Sequence, residues 1–378
     1  MKFNADREVL LRALNHAQAV VNRRVSAGDA VLSCVLLDLK GDRLMLTSTD
    51  LDITLAEAIS VSGSSDGRLA VPAGTFHDIV RQLPGGAEIS FETSNDAAGL
   101  VIRCKRFATR LPVPGHESFP VSGDAVFPHS FRMRADALLQ LFERSRFAVS
   151  TEESRHYLCG VYFHVADSNG SSQLRGVATD GHRLAQISVP APEGAGGMPG
   201  VIVPRKTVAE LCKLLSETDG EVEVSVSETR LRVAMPDVLI TTKLVDGTYP
   251  DYQRVIPPGT GPRVEVSRGA FVAAMARITA ITEDRTSGLK IEGSRRGLRL
   301  SLSSPDCGQA EEEIDGDSVV VDGADFSVGF RAVYLRDVAN ETGEKLCMAL
   351  SDAEGQNAAI FRAVNDDTAL FVVMPMRV

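Results

Sequence analysis

The sequence predicts an α+β fold made of three topologically similar domains, each with two helices and antiparallel sheets. Three observations predict it. Amphipathic helix patterns recur at about one third of the chain length, and the strand-like segments between them are short and broken by turn residues. Helices and strands also do not alternate one for one, which argues against a doubly wound parallel sheet.

Each third opens on a helical stripe. Leu10, Leu14, Ala17 and Val21 mark a helix over 6–24, and Leu138, Leu141, Phe142 and Val149 mark one over 134–149. Phe271, Ala274, Met275, Ile278 and Ile281 mark the third, over 267–281. All recur at three- and four-residue steps, the spacing of one helix face. A second, shorter helix follows in each third, over 73–83, 205–217 and 331–340. Their stripes are Phe76, Ile79, Val80 and Leu83; Val208, Leu211, Cys212 and Leu215; and Tyr334, Leu335 and Val338. The dipeptides Val71-Pro72, Val203-Pro204 and Gly329-Phe330 introduce them at spacings of 132 and 126 residues.

Alternating aliphatic and β-branched segments over 35–39, 43–47, 88–92, 100–104, 221–226, 231–234, 298–303 and 370–374 read as strands. Turn signals such as Lys40-Gly41-Asp42 and Leu83-Pro84-Gly85-Gly86 separate them. The period exceeds the roughly 20–50 residues of a solenoid unit, so the repeat is a whole domain. The expected domains are 1–125, 126–258 and 259–378, with Pro- and Gly-bearing linkers over 116–129 and 250–262.

The 378 residues are 44% hydrophobic and 24% charged, the balance of a globular protein, which excludes a disordered or fibrous chain. No apolar run approaches the roughly 18 residues of a membrane span, and the first residues lack a signal peptide's apolar core. A cytoplasmic location is the expectation. Cys34, Cys104, Cys159, Cys212, Cys307 and Cys347 lie far apart with no Cys-x-x-Cys pair, so they read as thiols, and no metal or cofactor is expected.

The net charge of −10 is unevenly spread: the six helix windows together net +7 and the rest of the chain −17. Each helix places one basic residue off its apolar stripe: Arg12, Arg81, Arg144, Lys213, Arg277 and Arg336. Charge segregation alone leaves two readings open. These are ordinary solvated helix faces, or a positive surface for sequence-independent phosphate contacts on an otherwise acidic body.

An enzyme reading would use Asp180 with His182 as a base pair, or Asp50 and Asp52 as metal ligands. No nucleophile elbow, phosphate loop or zinc-helix motif accompanies them. Thr49-Asp50-Leu51 and Thr179-Asp180-Gly181 occupy matching places in two repeats, which is more simply a repeated turn.

Specific words then point to a family. Met1-Lys2-Phe3, Thr179-Asp180-Gly181-His182-Arg183-Leu184, Val203-Pro204-Arg205-Lys206, Lys243-Leu244-Val245-Asp246-Gly247, Tyr249-Pro250-Asp251-Tyr252 and the closing Val372-Val373-Met374-Pro375-Met376-Arg377-Val378 occur in order. With the threefold repeat and the length, the chain resembles the bacterial sliding clamps, the β subunits of DNA polymerase III, from end to end. The resemblance implies DNA-clamp domains, a head-to-tail homodimeric ring of six of them, and helices lining the hole. It implies no chemistry: a processivity factor that encircles duplex DNA without reading its sequence and tethers the replicative polymerase, other clamp-binding polymerases and repair proteins. A clamp loader is a further implied partner.

Carried across by position, the partner-peptide pocket comprises Leu158, Thr179, Gly181, His182, Arg183, Leu184, Pro250, Arg254 and Val255. Arg331 and Tyr334 border it, and Val372, Val373, Met374, Pro375, Met376 and Arg377 form its C-terminal wall. It is expected to accept short peptides ending in Leu-Phe-like residues. DNA contacts carry across to Arg24, to Arg155, His156 and Tyr157, and to Arg205 and Lys206. The dimer seam is expected to pair the strand around Phe107 and Thr109 with the helix end at Ile278 and Ile281.

The chain departs from the family pattern at 26–34, at Cys159 and at Arg331, where the family has Asn. Thr109 stands where an apolar residue is expected. The alternative is therefore a divergent clamp or peptide-binding module that does not close stably on DNA.

Overall fold

The computed structural model describes residues 1–21, 31–94, 99–120, 123, 125–168, 170–282, 287–304 and 308–378. Six α-helices lie among them: α1 (Arg7–Val20), α2 (Ala73–Gln82), α3 (Ala135–Glu143), α4 (Arg205–Ser216), α5 (Arg268–Thr279) and α6 (Ala332–Glu341). The helix over 134–149 is the one most shortened. It stops at Glu143, where Ser145 turns its hydroxyl back onto the Leu141 carbonyl at 2.7 Å, and only a 3-10 turn (Arg146–Ala148) follows.

The chain forms two compact units. One comprises Met1–Leu139, Pro192–Pro199 and Ala209–Leu244; the other Gln140–Ala191, Gly200–Val208 and Val245–Val378. They do not follow the thirds of the sequence, because strands from different thirds share sheets.

In the first unit, an eight-stranded antiparallel sheet runs from central-third strands into N-terminal ones. The joint is Val238–Lys243 against Ile53–Ser60, with Ile240 opposite Leu55. A five-stranded sheet pairs Lys2–Asp6 with Glu88–Thr93 and ends on Phe107–Pro112. Asp6 caps α1 by accepting from the Glu8 and Val9 amides, and Leu10, Ala13, Leu14, Ala17 and Val20 are buried along one stripe. Phe3 stacks on Phe91 at 4.7 Å, and Phe76 of α2 meets Phe91 edge-on at 5.7 Å. His16 of α1 sits 2.8 Å from the fully buried Glu57 and 3.5 Å from Glu217. Burial works against its charge, yet the two carboxylates hold its pKa above the ordinary value.

In the second unit, a nine-stranded antiparallel sheet repeats the arrangement, joining Arg183–Pro190 to Asp366–Val373 with Ala185 opposite Phe371. A four-stranded sheet runs in the order Gly308–Ile314, Gly297–Ser304, Gly288–Ser294, Phe326–Arg331.

The repeat extends to single hydrogen bonds. Thr49 Oγ1 donates to the Ile53 carbonyl, and Asp50 Oδ1 accepts from the amides of Asp52 and Ile53. Thr179 and Asp180 make the same bonds to Arg183 and to the amides of His182 and Arg183. The residue between has φ +78° at Leu51 and +90° at Gly181. Just beyond, the Lys243 amide donates to the Asp52 carbonyl and the Met374 amide to the His182 carbonyl, each at 2.8 Å. Asp50 and Asp180 are turn-forming residues, as their repetition indicates.

Candidate peptide groove and charged edges

Leu158, Leu184 and Val372 of the expected peptide pocket gather on one face of the nine-stranded sheet. Alternation along Asp366–Val373 sends Leu370 and Val372 to that face, where they join Leu158, Val177, Leu184 and Ile360 in one apolar cluster. Tyr249 and Tyr252 anchor the segment 249–256 into the same cluster, leaving Pro250, Arg254 and Val255 exposed at its rim. Arg254 pairs with Asp251 at 2.9 Å. Val373 corrects the expectation: it points to the opposite face, is fully buried and lines no groove, because adjacent strand residues face opposite ways.

Behind the cluster lies a buried polar stack. Tyr162 lies flat on Tyr249 at 4.8 Å, and His164 stacks on Tyr162 at 4.4 Å. His164 Nε2 lies 3.1 Å from the Tyr252 hydroxyl, which also accepts from the buried Arg175 at 3.2 Å. His164 Nδ1 lies 3.2 Å from the Val165 carbonyl. A neutral imidazole protonated on Nδ1 satisfies the network, with the tyrosine donating to Nε2. Burial pushes the His164 pKa down to about 4, and Arg175 pushes the same way.

The polar end is the turn 179–183 with α6. Arg183 does not offer a donor to a ligand. Its guanidinium binds Asp180 at 3.1 Å, Asp337 at 2.5 Å and the Phe147 carbonyl at 2.8 Å, and only 12% of the side chain is exposed. It ties the turn to α6. Tyr334 is the hub there: the His182 ring lies 6.1 Å from it, Arg183 lies over it at 4.6 Å, and Arg331 at 5.0 Å.

The C-terminal wall is a strap. After the Met374 bond to His182, the Met376 amide donates to the Gly329 carbonyl at 2.8 Å, with Met374 and Met376 partly exposed. Gly288 and Gly329 leave room for it. A Cβ on Gly329 would lie 2.5 Å from the Met376 carbonyl oxygen and 2.5 Å from Val378; one on Gly288 would lie 2.3 Å from Val378. A cavity of about 650 Å³ beside the strap is lined by Lys290, Gly329, Glu354 and Arg377 among others. Sequence reasoning missed this glycine seat and the Asp337 tie, since neither has a local signature.

The helix cations divide. Arg12 and Arg336 are exposed, whereas Arg81, Lys213 and Arg277 are exposed but paired with Asp78, Glu210 and Glu312. Arg144 is turned into the protein and bound to Asp366 and the Glu341 carbonyl, so its place off the apolar stripe does not make it a surface cation. Arg205 and Lys206 are exposed in the first turn of α4. In the 3-10 segment Glu153–Leu158, His156 is exposed and Arg155 pairs with Glu152. Arg24 lies outside the described residues.

Two sheet edges carry opposite charge. Phe107–Pro112 is an edge strand with Phe107 exposed and Arg103, Lys105, Arg106 and Arg110 around it. Gly308–Ile314 is an edge strand bearing Glu311, Glu312 and Glu313. Ile278 is buried in its own core at 1% exposure, as its place in the apolar stripe of α5 requires, so it offers nothing to a seam. Ile281 follows the helix and is partly exposed. Among the described residues no helix is long and apolar enough to cross a membrane, and no His, Cys, Asp and Glu cluster has metal-site geometry.

Three repeats of one helix-and-sheet unit, with strands of neighbouring repeats joined into shared sheets, define a clamp-type polymerase accessory factor. The chain belongs to the bacterial β sliding clamp family, the β subunits of DNA polymerase III. Family descriptions of that subunit match throughout: the N-terminal domain over 1–122, the central domain over 132–251 and the C-terminal domain over 253–377. The β sliding clamps of Caulobacter vibrioides and Escherichia coli K12 are 37% and 31% identical, each aligned over all of both chains. The solved clamp of Bartonella birtlesii, bound to griselimycin, superposes over all of both chains at TM-score 0.93 and 39% identity. A C. crescentus clamp, with polyethylene glycol in its putative β-motif tethering region, superposes at TM-score 0.94 and 37% identity, covering all of this chain and 99% of that one.

Proposed function

We propose that two copies of this chain close head to tail into a ring of six clamp domains, with boundaries near residues 125 and 258. The ring acts in the cytoplasm, encircles duplex DNA and has no catalytic site of its own. The opposite charge of the two open sheet edges carries this reading. In a two-fold dimer the basic edge of each copy meets the acidic edge of the other, so both seams form together and neither of these two edges is left unpaired. Arg12, Arg81, Lys213, Arg277, Arg336, Arg205 and Lys206, with Arg155, His156 and Tyr157, supply phosphate contacts that carry no sequence information. Arg205 and Lys206 at the start of α4 oppose its dipole, so they suit a ligand's charge better than the helix's own stability. The groove at Leu158, Leu184, Val372 and Met374 accepts the apolar end of peptides from polymerases, the clamp loader and repair proteins.

Light scattering over a dilution series tests the ring. Twice the chain mass of 40.5 kDa is expected to persist on dilution. Reversing Glu311 and Glu313 to lysine is expected to weaken the dimer at least about tenfold, since like charges then face across both seams. A monomer at every concentration would overturn the ring and favour a peptide-binding module that does not close on DNA.

A further inference from the structure

We propose that the nine-stranded sheet carries a second binding site, which holds a small oxyanion on Arg362. The site follows from strand register. Glu265, Cys347 and Arg362 stand directly opposite one another on three adjacent strands, so their side chains leave the sheet on one face. Arg263, Ala349 and Ile360 form the next row on that face. Small residues at Cys347, Ala349 and Ala363 leave a hollow of about 270 Å³, lined by Arg263 and Arg362 and also by Pro258 and Gly259. The strand Ala359–Ala363 shifts register against Asp366–Val373 between Phe361 and Ala363, so Arg362 has no partner residue across that ladder.

The two arginines differ in what neutralises them. Arg263 donates to Glu265 at 2.8 Å. Arg362 is half-buried, its Nε is buried with no hydrogen-bond partner, and among the described residues no carboxylate reaches its guanidinium. Asp367 lines the hollow but is exposed and bonds to neither arginine. Cys347 brings no negative charge, because burial pushes its thiol above the ordinary range. A buried donor left unsatisfied is costly, and a guanidinium with unused N–H groups matches the paired oxygens of a carboxylate or a phosphate. The hollow is several times the roughly 30 Å³ share of one water, so it admits such an anion with part of its hydration.

Equilibrium dialysis of the full chain with radiolabelled inorganic phosphate, at constant ionic strength, tests the site. The wild-type chain is expected to take up one phosphate saturably, with a Kd near or below about 1 mM. Arg362→Gln is expected to weaken uptake at least about tenfold, and Arg362→Lys by less, since lysine keeps the charge but not the fork. Ala349→Leu is expected to abolish uptake by filling the hollow while Arg362 stays in place. Urea midpoints followed by tyrosine fluorescence, which reports on this unit, show that each variant is folded. Displacement of phosphate by acetate would mark a carboxylate as the ligand, and displacement by glycerol phosphate a phosphomonoester. Displacement by chloride at the same concentration would overturn the proposal, since the site would then be a general cation. Equal uptake by wild type and Arg362→Gln, or no saturable uptake by the wild type, would overturn it as well.

Discussion

Replacing Gly329 by valine lowers affinity for a Leu-Phe peptide at least about tenfold, because the C-terminal strap loses its seat. The strand at Phe326–Arg331 tolerates a β-branched residue on intrinsic grounds. What it cannot accommodate is the tail: the added Cβ would lie 2.5 Å from both the Met376 carbonyl oxygen and Val378, well inside contact distance. The Met376 bond to Gly329 breaks, and only the Met374 bond to His182 still holds the wall. Deleting residues 374–378 removes the wall altogether and abolishes binding. If the glycine acts through the strap, Gly329→Val in the truncated chain leaves the urea midpoint of that chain unchanged. Additive losses would show that the substitution damages something else.

The second large effect is on stability. The second unit loses about 3 kcal/mol between pH 7 and pH 4 through His164. The folded pKa is about 4 against an ordinary value near 6.5, so between those values the unfolded chain binds a proton that the folded one refuses. Stability is intact above the unfolded pKa, falls as pH drops toward 4, and levels off below. His16 works in the opposite sense: its raised pKa means that its stabilisation is full at low pH and lost as pH rises through the folded value. Two features separate the effects. The chain has no tryptophan, and its five tyrosines, Tyr157, Tyr162, Tyr249, Tyr252 and Tyr334, all lie in the second unit while His16 lies in the first. Urea unfolding followed by tyrosine fluorescence therefore reports on the unit that holds His164. Comparison with His164→Gln, which does not titrate, isolates the term. Parallel pH profiles for the two proteins would refute the assignment.

The helices were readable because each buries one stripe at helical spacing, and the structure starts all six within about one residue of the expected windows. The turn 179–183 and the segment 249–256 were readable as local patterns, and the structure brings Leu184, Tyr249 and Tyr252 into one apolar cluster. What stayed hidden depends on pairing between distant segments. Nothing local shows that Val238–Lys243 joins Ile53–Ser60, or that Gly288 and Gly329 face one tail. Arg144 lay off its stripe yet meets Asp366, 222 residues away. Two misplacements had a readable sign. Ile278 belongs to the buried stripe of α5, and Val373 neighbours Val372 on a strand, so neither could also serve the surface assigned to it.

The central claim is topological, and one measurement addresses it directly. The chain is incubated with nicked circular plasmid, a bacterial clamp loader and ATP, separated by gel filtration, and the plasmid is then cut once. A ring co-elutes with the circle and is released by the cut, because ends let it slide off, while its phosphate contacts alone are too weak to hold it. Equal recovery on circular and linear DNA would contradict the account, since binding would then reside in contacts rather than in closure.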